Sequence, residues 1–259
     1  MDLLRDKVVL VSGGTQGLGE ACACEAAAQG ARAVVVTGRS EELGRAVVQR
    51  VERAGAAGLF VHVDLAEVDE ARRSVRKTIG AFGRVDAVAN VAGLTARGTL
   101  LDTTPELLHE HFAVNLRAPF FVMQEAVSDM VARGEPGAIV NVITTAAHGG
   151  QPYNAPYVAT KAGLAALTKN AAHAHRWDRI RINGLNIGWT DTPAEDRLQR
   201  RSHGRGDGWQ AELASELPMG RLGRPEEVAA MVAFLLAERS GVVTGSVIDW
   251  DQVVVGAFD

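Results

Sequence analysis

The sequence predicts a doubly wound α/β fold, a seven-stranded parallel sheet with helices on both faces, as one domain over residues 1–259. Two observations carry this. Short β-branched runs recur about every 26 residues from the N-terminus, at Val8, Ala33, Leu59 and Val85, the length of a strand, a crossover helix and two short turns. The runs are almost wholly apolar rather than alternating, which marks strands covered on both faces.

The elements follow in order. Helical segments are expected at Leu18–Gln29, Glu41–Ala54 and Glu67–Ala81, with Gly30, Gly55 and Gly83 where a C-terminal cap falls. Thr104-Pro105 reads as an N-cap and first-turn proline opening a helix through Asn115 toward Val131. Tyr153 to Trp177 reads as another long helix, and Pro225 opens a last one through Leu236. Ala138–Ile143, Ile180–Ile187 and Ser246–Trp250 complete the seven strands. Residues 189–210 are glycine-rich, charged and poorly periodic, the pattern of a mobile substrate lid.

Composition narrows the function classes. Lys and Arg number 27 against 31 Asp and Glu, a net charge of −4, so neither nucleic acid nor a membrane surface is an expected partner. The two cysteines, Cys22 and Cys24, cannot frame a disulfide scaffold, and no His/Cys/carboxylate cluster has metal-site spacing. With no long apolar segment and no signal-like N-terminus, a cytoplasmic location is expected.

After the first strand the chain reads Ser12-Gly13-Gly14-Thr15-Gln16-Gly17-Leu18-Gly19 and then turns helical. Glycines between a strand and a helix let the backbone approach a pyrophosphate, whose charge the helix start favours. Tyr157 and Lys161 lie four apart in a helical stretch, so both side chains face one way. Only two tyrosines and four lysines occur in the chain, which makes the pairing pointed. Moving a hydride to a carbonyl carbon requires a proton at its oxygen, and a phenol beside an ammonium supplies one. The expectation is that Lys161 lowers the pKa of Tyr157, a task that a positive nicotinamide ring can share.

The Gly-x-x-x-Gly-x-Gly spacing resembles that of the short-chain dehydrogenase/reductase family, and the likeness runs along the whole chain. It includes Asp64-Leu65, Asn90-Val91-Ala92-Gly93, Asn115, Tyr157-x-x-x-Lys161 and Thr244-Gly245. The resemblance implies a Rossmann-type domain that binds a dinucleotide. Gly13, Thr15, Gln16, Gly17, Leu18 and Gly19 would hold the phosphates, Asp64 and Leu65 the adenine, and Asn90, Ala92 and Gly93 the adjoining cleft. Gly188, Thr190 and Thr192 would meet the nicotinamide, although the family's Pro-Gly is here Ile187-Gly188-Trp189. Counting thirteen residues back from Tyr157 puts Thr144 where the family has a serine, with Thr145 as a minor alternative. Asn115 would support a proton relay, or satisfy a backbone break, or both.

The second strand ends Thr37-Gly38-Arg39-Ser40, with no carboxylate to read a ribose 2′-hydroxyl. NADP is therefore the expected cofactor, with Arg39 at its phosphate and NAD as the alternative. His148, Gln151, Tyr153, Asn154 and Trp189, with Arg97, are expected to face substrate, because they fall in loops after the strands. Their polarity points to a hydroxylated or cyclic ketone. Arg197, Arg200, Arg201, His203 and Arg205 would attract an anion, or form a solvated face. Two other functions fit these motifs: a 3-oxoacyl-thioester reductase and a non-catalytic dinucleotide-binding regulator. A homotetramer or homodimer is implied by resemblance, with Val253–Asp259 reaching a neighbouring subunit.

Overall fold

A computed structural model describes residues 2–256. Its strands are β1 (Val8–Ser12), β2 (Ala33–Gly38), β3 (Ala57–His62), β4 (Ala87–Asn90), β5 (Gly137–Thr144), β6 (Ile180–Ile187) and β7 (Val247–Trp250). They form one sheet in the order β3-β2-β1-β4-β5-β6-β7, every pairing parallel. Strand order reverses between β1 and β4, so their C-terminal ends part and open a crevice.

Two cores sandwich the sheet because successive side chains leave opposite faces. Val9, Val11, Val34 and Val36 pack with α1 (Gly17–Ala28) and α9 (Pro225–Leu236). Leu10 and Val35 point the other way, toward α3 (Val68–Phe82) and α5 (Ala118–Arg133). The connection α2 (Glu41–Arg53) completes the first β-α-β-α-β run. Gly30, Gly55 and Gly83 all take positive φ past their helices, the capping role expected of them.

Two expected helices need revision, and one segment expected to be irregular is helical. The helix from Pro105 is not continuous: α4 (Pro105–Phe112) leads into a π-helical turn at Ala113–Arg117 before α5. Asn115 sits in that turn, wholly buried, and spends its amide on the chain after β4. Its Oδ1 accepts from Leu94 N at 2.7 Å and its Nδ2 donates to Leu94 O at 2.9 Å. The helix expected from Tyr153 begins at Ala155 (α6, Ala155–His175), because Tyr153 stays in a loop clamped to Gly98. Gly98 N donates to Tyr153 O and Ala155 N to Gly98 O, at 3.2 and 2.9 Å.

The segment expected to lack periodic structure forms α7 (Pro193–Ser202) and the short α8 (Trp209–Ser215). It folds around its own nucleus of Trp209, Leu213 and Leu222, apart from both main cores. Too few apolar residues mark α7 for periodicity to reveal it, but Thr192 and Pro193 are start signals, and the Thr192 hydroxyl accepts from Glu195 N at 3.1 Å. Among the described residues, no helix is long and apolar enough to cross a membrane.

Candidate active site

A cleft of about 630 Å³ opens where β1, β4, β5 and β6 end. The glycine loop forms one wall. Gly13 has φ +79°, and a Cβ there would lie 2.7 Å from Ala92, so only glycine lets the loop rest on the turn after β4. A Cβ on Gly19 would lie 2.1 Å from Gly13 O, which locks α1 against the loop. Gln16 precedes α1 in extended backbone, and its side chain caps nothing. The first-turn amides of α1 therefore remain free to hold an anion. The residues present fit a dinucleotide pyrophosphate.

β5 delivers the next group. Thr144, its last residue, lines the cleft together with Tyr157, and its hydroxyl favours the ionised phenol. The same Oγ1 accepts from Ala146 N at 3.2 Å, which holds its rotamer. Tyr157 and Lys161 rise on the first turns of α6, and the Lys161 Nζ lies 5.9 Å from the centre of the tyrosine ring. Lys161 is 3% exposed and donates to Val142 O at 2.8 Å.

The electrostatics differ from the expectation. Burial pushes the Tyr157 phenol up to about 12; the Thr144 bond and Arg97 oppose that rise, and Glu195 adds to it. Burial pushes the Lys161 ammonium down to about 8. The ammonium donates to a backbone carbonyl and keeps its charge 5.9 Å from the tyrosine ring. A positive charge brought in above the tyrosine would further favour the phenolate.

Most residues expected from sequence converge here. Gly13, Gln16, Gly17, Leu18, Gly19, Ala92, Gly93, Gly188, Thr190 and Thr192 line the cleft, with Thr144, Tyr157 and Lys161 at its centre. His148, Gln151, Asn154, Trp189 and Arg97 line it too. Others lie outside its lining. Thr15 is buried behind the loop, and Asn90 turns into the sheet, its Nδ2 donating to Asn141 Oδ1 at 2.8 Å. Asp64 accepts from Ala66 N at 2.9 Å, Leu65 is buried, and Arg39 is exposed beyond β2. Asn115 makes no bond to Lys161; its amide also reaches Thr160 Oγ1 at 3.3 Å. Tyr153 stands outside the lining, edge-on to His203 at 5.4 Å and under the Arg97 guanidinium at 4.9 Å.

Several groups were not anticipated. Glu195 on α7 enters the cleft, and burial pushes its carboxyl above the ordinary range against the pull of the Gln199 bond and Arg97. His148 Nε2 lies 2.8 Å from Asp249 Oδ1, which also accepts from Asn186 Nδ2 at 2.7 Å. Burial raises the Asp249 carboxyl, but the bonds from His148 and Asn186 outweigh it and leave it lowered. A Cβ on Gly188 would sit 2.0 Å from Asp251 Oδ1, so the glycine makes room for a carboxylate at the cleft floor. Val253, Val254, Val255 and Gly256 line their own subunit's cleft; the remainder of the stretch expected to reach a neighbour lies outside the described residues.

Comparison with known proteins agrees with this geometry. A family model described as enoyl-(acyl carrier protein) reductase matches residues 13–252. The chain is 34% identical over 250 residues to the L-rhamnose 1-dehydrogenase (NAD(P)(+)) of Azotobacter vinelandii, covering 94% of each. It is 31% identical over 252 residues to the 3-oxoacyl-[acyl-carrier-protein] reductase FabG of Thermotoga maritima, covering 97% of this chain and 99% of that one. Among solved structures, a short-chain type dehydrogenase/reductase from Mycobacterium marinum superposes with a TM-score of 0.90 at 26% identity, over 99% of this chain and 98% of that one. The chain belongs to the short-chain dehydrogenase/reductase family, oxidoreductases that act on CH–OH and C=O groups with a nicotinamide dinucleotide.

Proposed function

We propose that this protein interconverts a secondary alcohol and a ketone on a polar, hydroxylated or cyclic substrate, with NADP preferred to NAD. One observation carries the reading: Thr144, Tyr157 and the buried Lys161 line one cleft together with the glycine loop. The two hydroxyls can hold a single substrate oxygen between them. When bound, the nicotinamide supplies or accepts the hydride and, oxidised, places a positive charge near the phenol.

In reduction Tyr157 gives its proton to the substrate oxygen; in oxidation it takes one back. Thr144 orients that oxygen. Lys161 holds the cofactor's ribose and returns protons to the phenol, while Asn115 fixes the chain after β4 on which the cleft wall rests. Asp64 and Leu65 border the adenine, and Thr15 and Asn90 support the loop and strand from behind. Helices α7 and α8 act as the substrate lid; Arg197 Nη2 already donates to Gln16 Oε1 of the glycine loop at 3.2 Å. The working form is a homotetramer or homodimer.

The test is Tyr157→Phe assayed against a panel of polyols, cyclic ketones and their alcohols. The variant is expected to lose about 10²–10⁴-fold in kcat with NADP binding retained. Near-full turnover in Tyr157→Phe, together with its loss in Tyr153→Phe, would reverse the assignment. A 3-oxoacyl-thioester reductase is the second reading, supported by the similarity to the Thermotoga maritima enzyme. Turnover confined to acyl thioesters would establish it instead.

A further inference from the structure

Glu195 is the one carboxylate that α7 sends into the cleft, and its local sequence gives it a different task. Thr192-Pro193-Ala194-Glu195 has the T-x-x-E spacing in which the glutamate side chain normally returns to the N-cap amide. Half of that arrangement is present, since Thr192 Oγ1 accepts from Glu195 N. The other half is absent: the carboxylate turns away, and its Oε1 accepts from Gln199 Nε2 at 2.7 Å. Gln199 is 2% exposed, so this bond aims the carboxylate firmly. No Lys, Arg or His among the described residues pairs with Glu195 within 4.0 Å. An acceptor without a cation partner is thus left facing the cleft.

Arg97 stands in the same cleft with the complementary deficit. Its guanidinium lies over Tyr153 and its Nη2 donates to His203 Nε2 at 3.3 Å, while its buried Nε has no partner. The cleft therefore offers a carboxylate with no ion-pair partner and a guanidinium whose Nε is unpartnered. Both residues line the same cleft as Tyr157, Thr144 and Lys161. A ligand carboxylate would satisfy Arg97 but meet repulsion from Glu195. An acyl chain would desolvate both and repay neither. Hydroxyl groups both donate and accept, and so satisfy the two together.

We infer that Glu195 is the specificity-determining residue of this site, accepting a hydrogen bond from a hydroxyl on the carbon next to the reacting carbinol, with Arg97 donating to the same or a neighbouring hydroxyl. The substrate class is a vicinal diol within a polyol or sugar-like ring. This inference rests on the hydride-transfer reading above and selects within it.

The test compares cis-1,2-cyclohexanediol with cyclohexanol, which differ by that hydroxyl alone, at saturating NADP. Wild-type kcat/KM is expected to favour the diol by about tenfold or more. Glu195→Gln, which keeps the volume, and Glu195→Ala should each shrink this ratio about tenfold. Loss of the negative charge should also move the ascending limb of the pH profile to lower pH, because Glu195 raises the phenol's pKa. The same shift in Glu195→Gln, which keeps the volume, separates loss of charge from a loosened α7. A wild-type ratio near one, or a ratio unchanged in both variants, overturns the inference and leaves hydride transfer standing. If neither alcohol is oxidised, hydride transfer on such substrates fails. Calorimetric binding of the two probes to the NADP complex then decides Glu195 alone: a diol preference lost in the variants supports it, and equal affinity overturns it.

Discussion

Lys161 Nζ donates to Val142 O, two residues before Thr144 on β5, at 2.8 Å. The ammonium is thereby tied to the strand that carries the Thr144 hydroxyl rather than to the phenol. Burial without a counter-charge holds its pKa near 8, against 10.5 for the unfolded side chain. Above pH 10.5 the amine is neutral in both states and costs nothing. As the pH falls toward 8, the unfolded chain takes up the proton first. Below 8 the folded state bears the full cost, about 3 kcal/mol. Wild-type stability should therefore rise between pH 8 and 10 relative to Lys161→Met, by up to about 3 kcal/mol, in urea melts of the two proteins at matched pH. Parallel curves would mean that the folded ammonium keeps its ordinary pKa and is not desolvated.

Arg39 lies just beyond the C-terminal end of β2, exposed, before Ser40 caps α2 by accepting from Leu43 N at 3.4 Å. A guanidinium there is free to meet a 2′-phosphate as a charge-assisted pair. Arg39→Ala should lower kcat/KM with NADP by about tenfold or more and leave the value with NAD within about twofold. Equal losses with both cofactors would remove Arg39 from the selection.

Trp209 is fully buried, yet it belongs to the small nucleus under α7 and α8, and its indole donates to Asp196 Oδ1 at 2.8 Å. Trp209→Ala should cost that nucleus about 3–5 kcal/mol while the sheet keeps its cores. Amide exchange should accelerate across residues 193–217 and not in β1 or β5, and substrate KM should rise. Uniform acceleration would show α7 and α8 to be one cooperative unit with the sheet.

What could be read in advance follows from the range of the interactions. Strand and helix identity rest on neighbours within a few residues, and β6 was expected at the residues where it lies. The loop-to-helix start at Gly17 and the Tyr157–Lys161 spacing are local in the same way. At Asn115 a buried amide serving a backbone break was one of two readings, but the π-turn and its partner Leu94, 21 residues away, were not legible. Helix α7 was missed although Thr192-Pro193 announced it, since its exposed, charged body has no apolar period to detect.

The amino-acid order by itself determined the parallel sheet, the phosphate loop and the pairing of a tyrosine with a lysine, because each is written in residues that touch along the chain. Tertiary structure decided where the lysine's proton goes, and how far burial moves the two pKa values. It also decided that Glu195 and Arg97 share a cleft, and that His148 meets Asp249 across 101 residues. These depend on desolvation and on contacts between distant segments. Both come into being only when the sheet brings its strand ends together, and no local pattern encodes them.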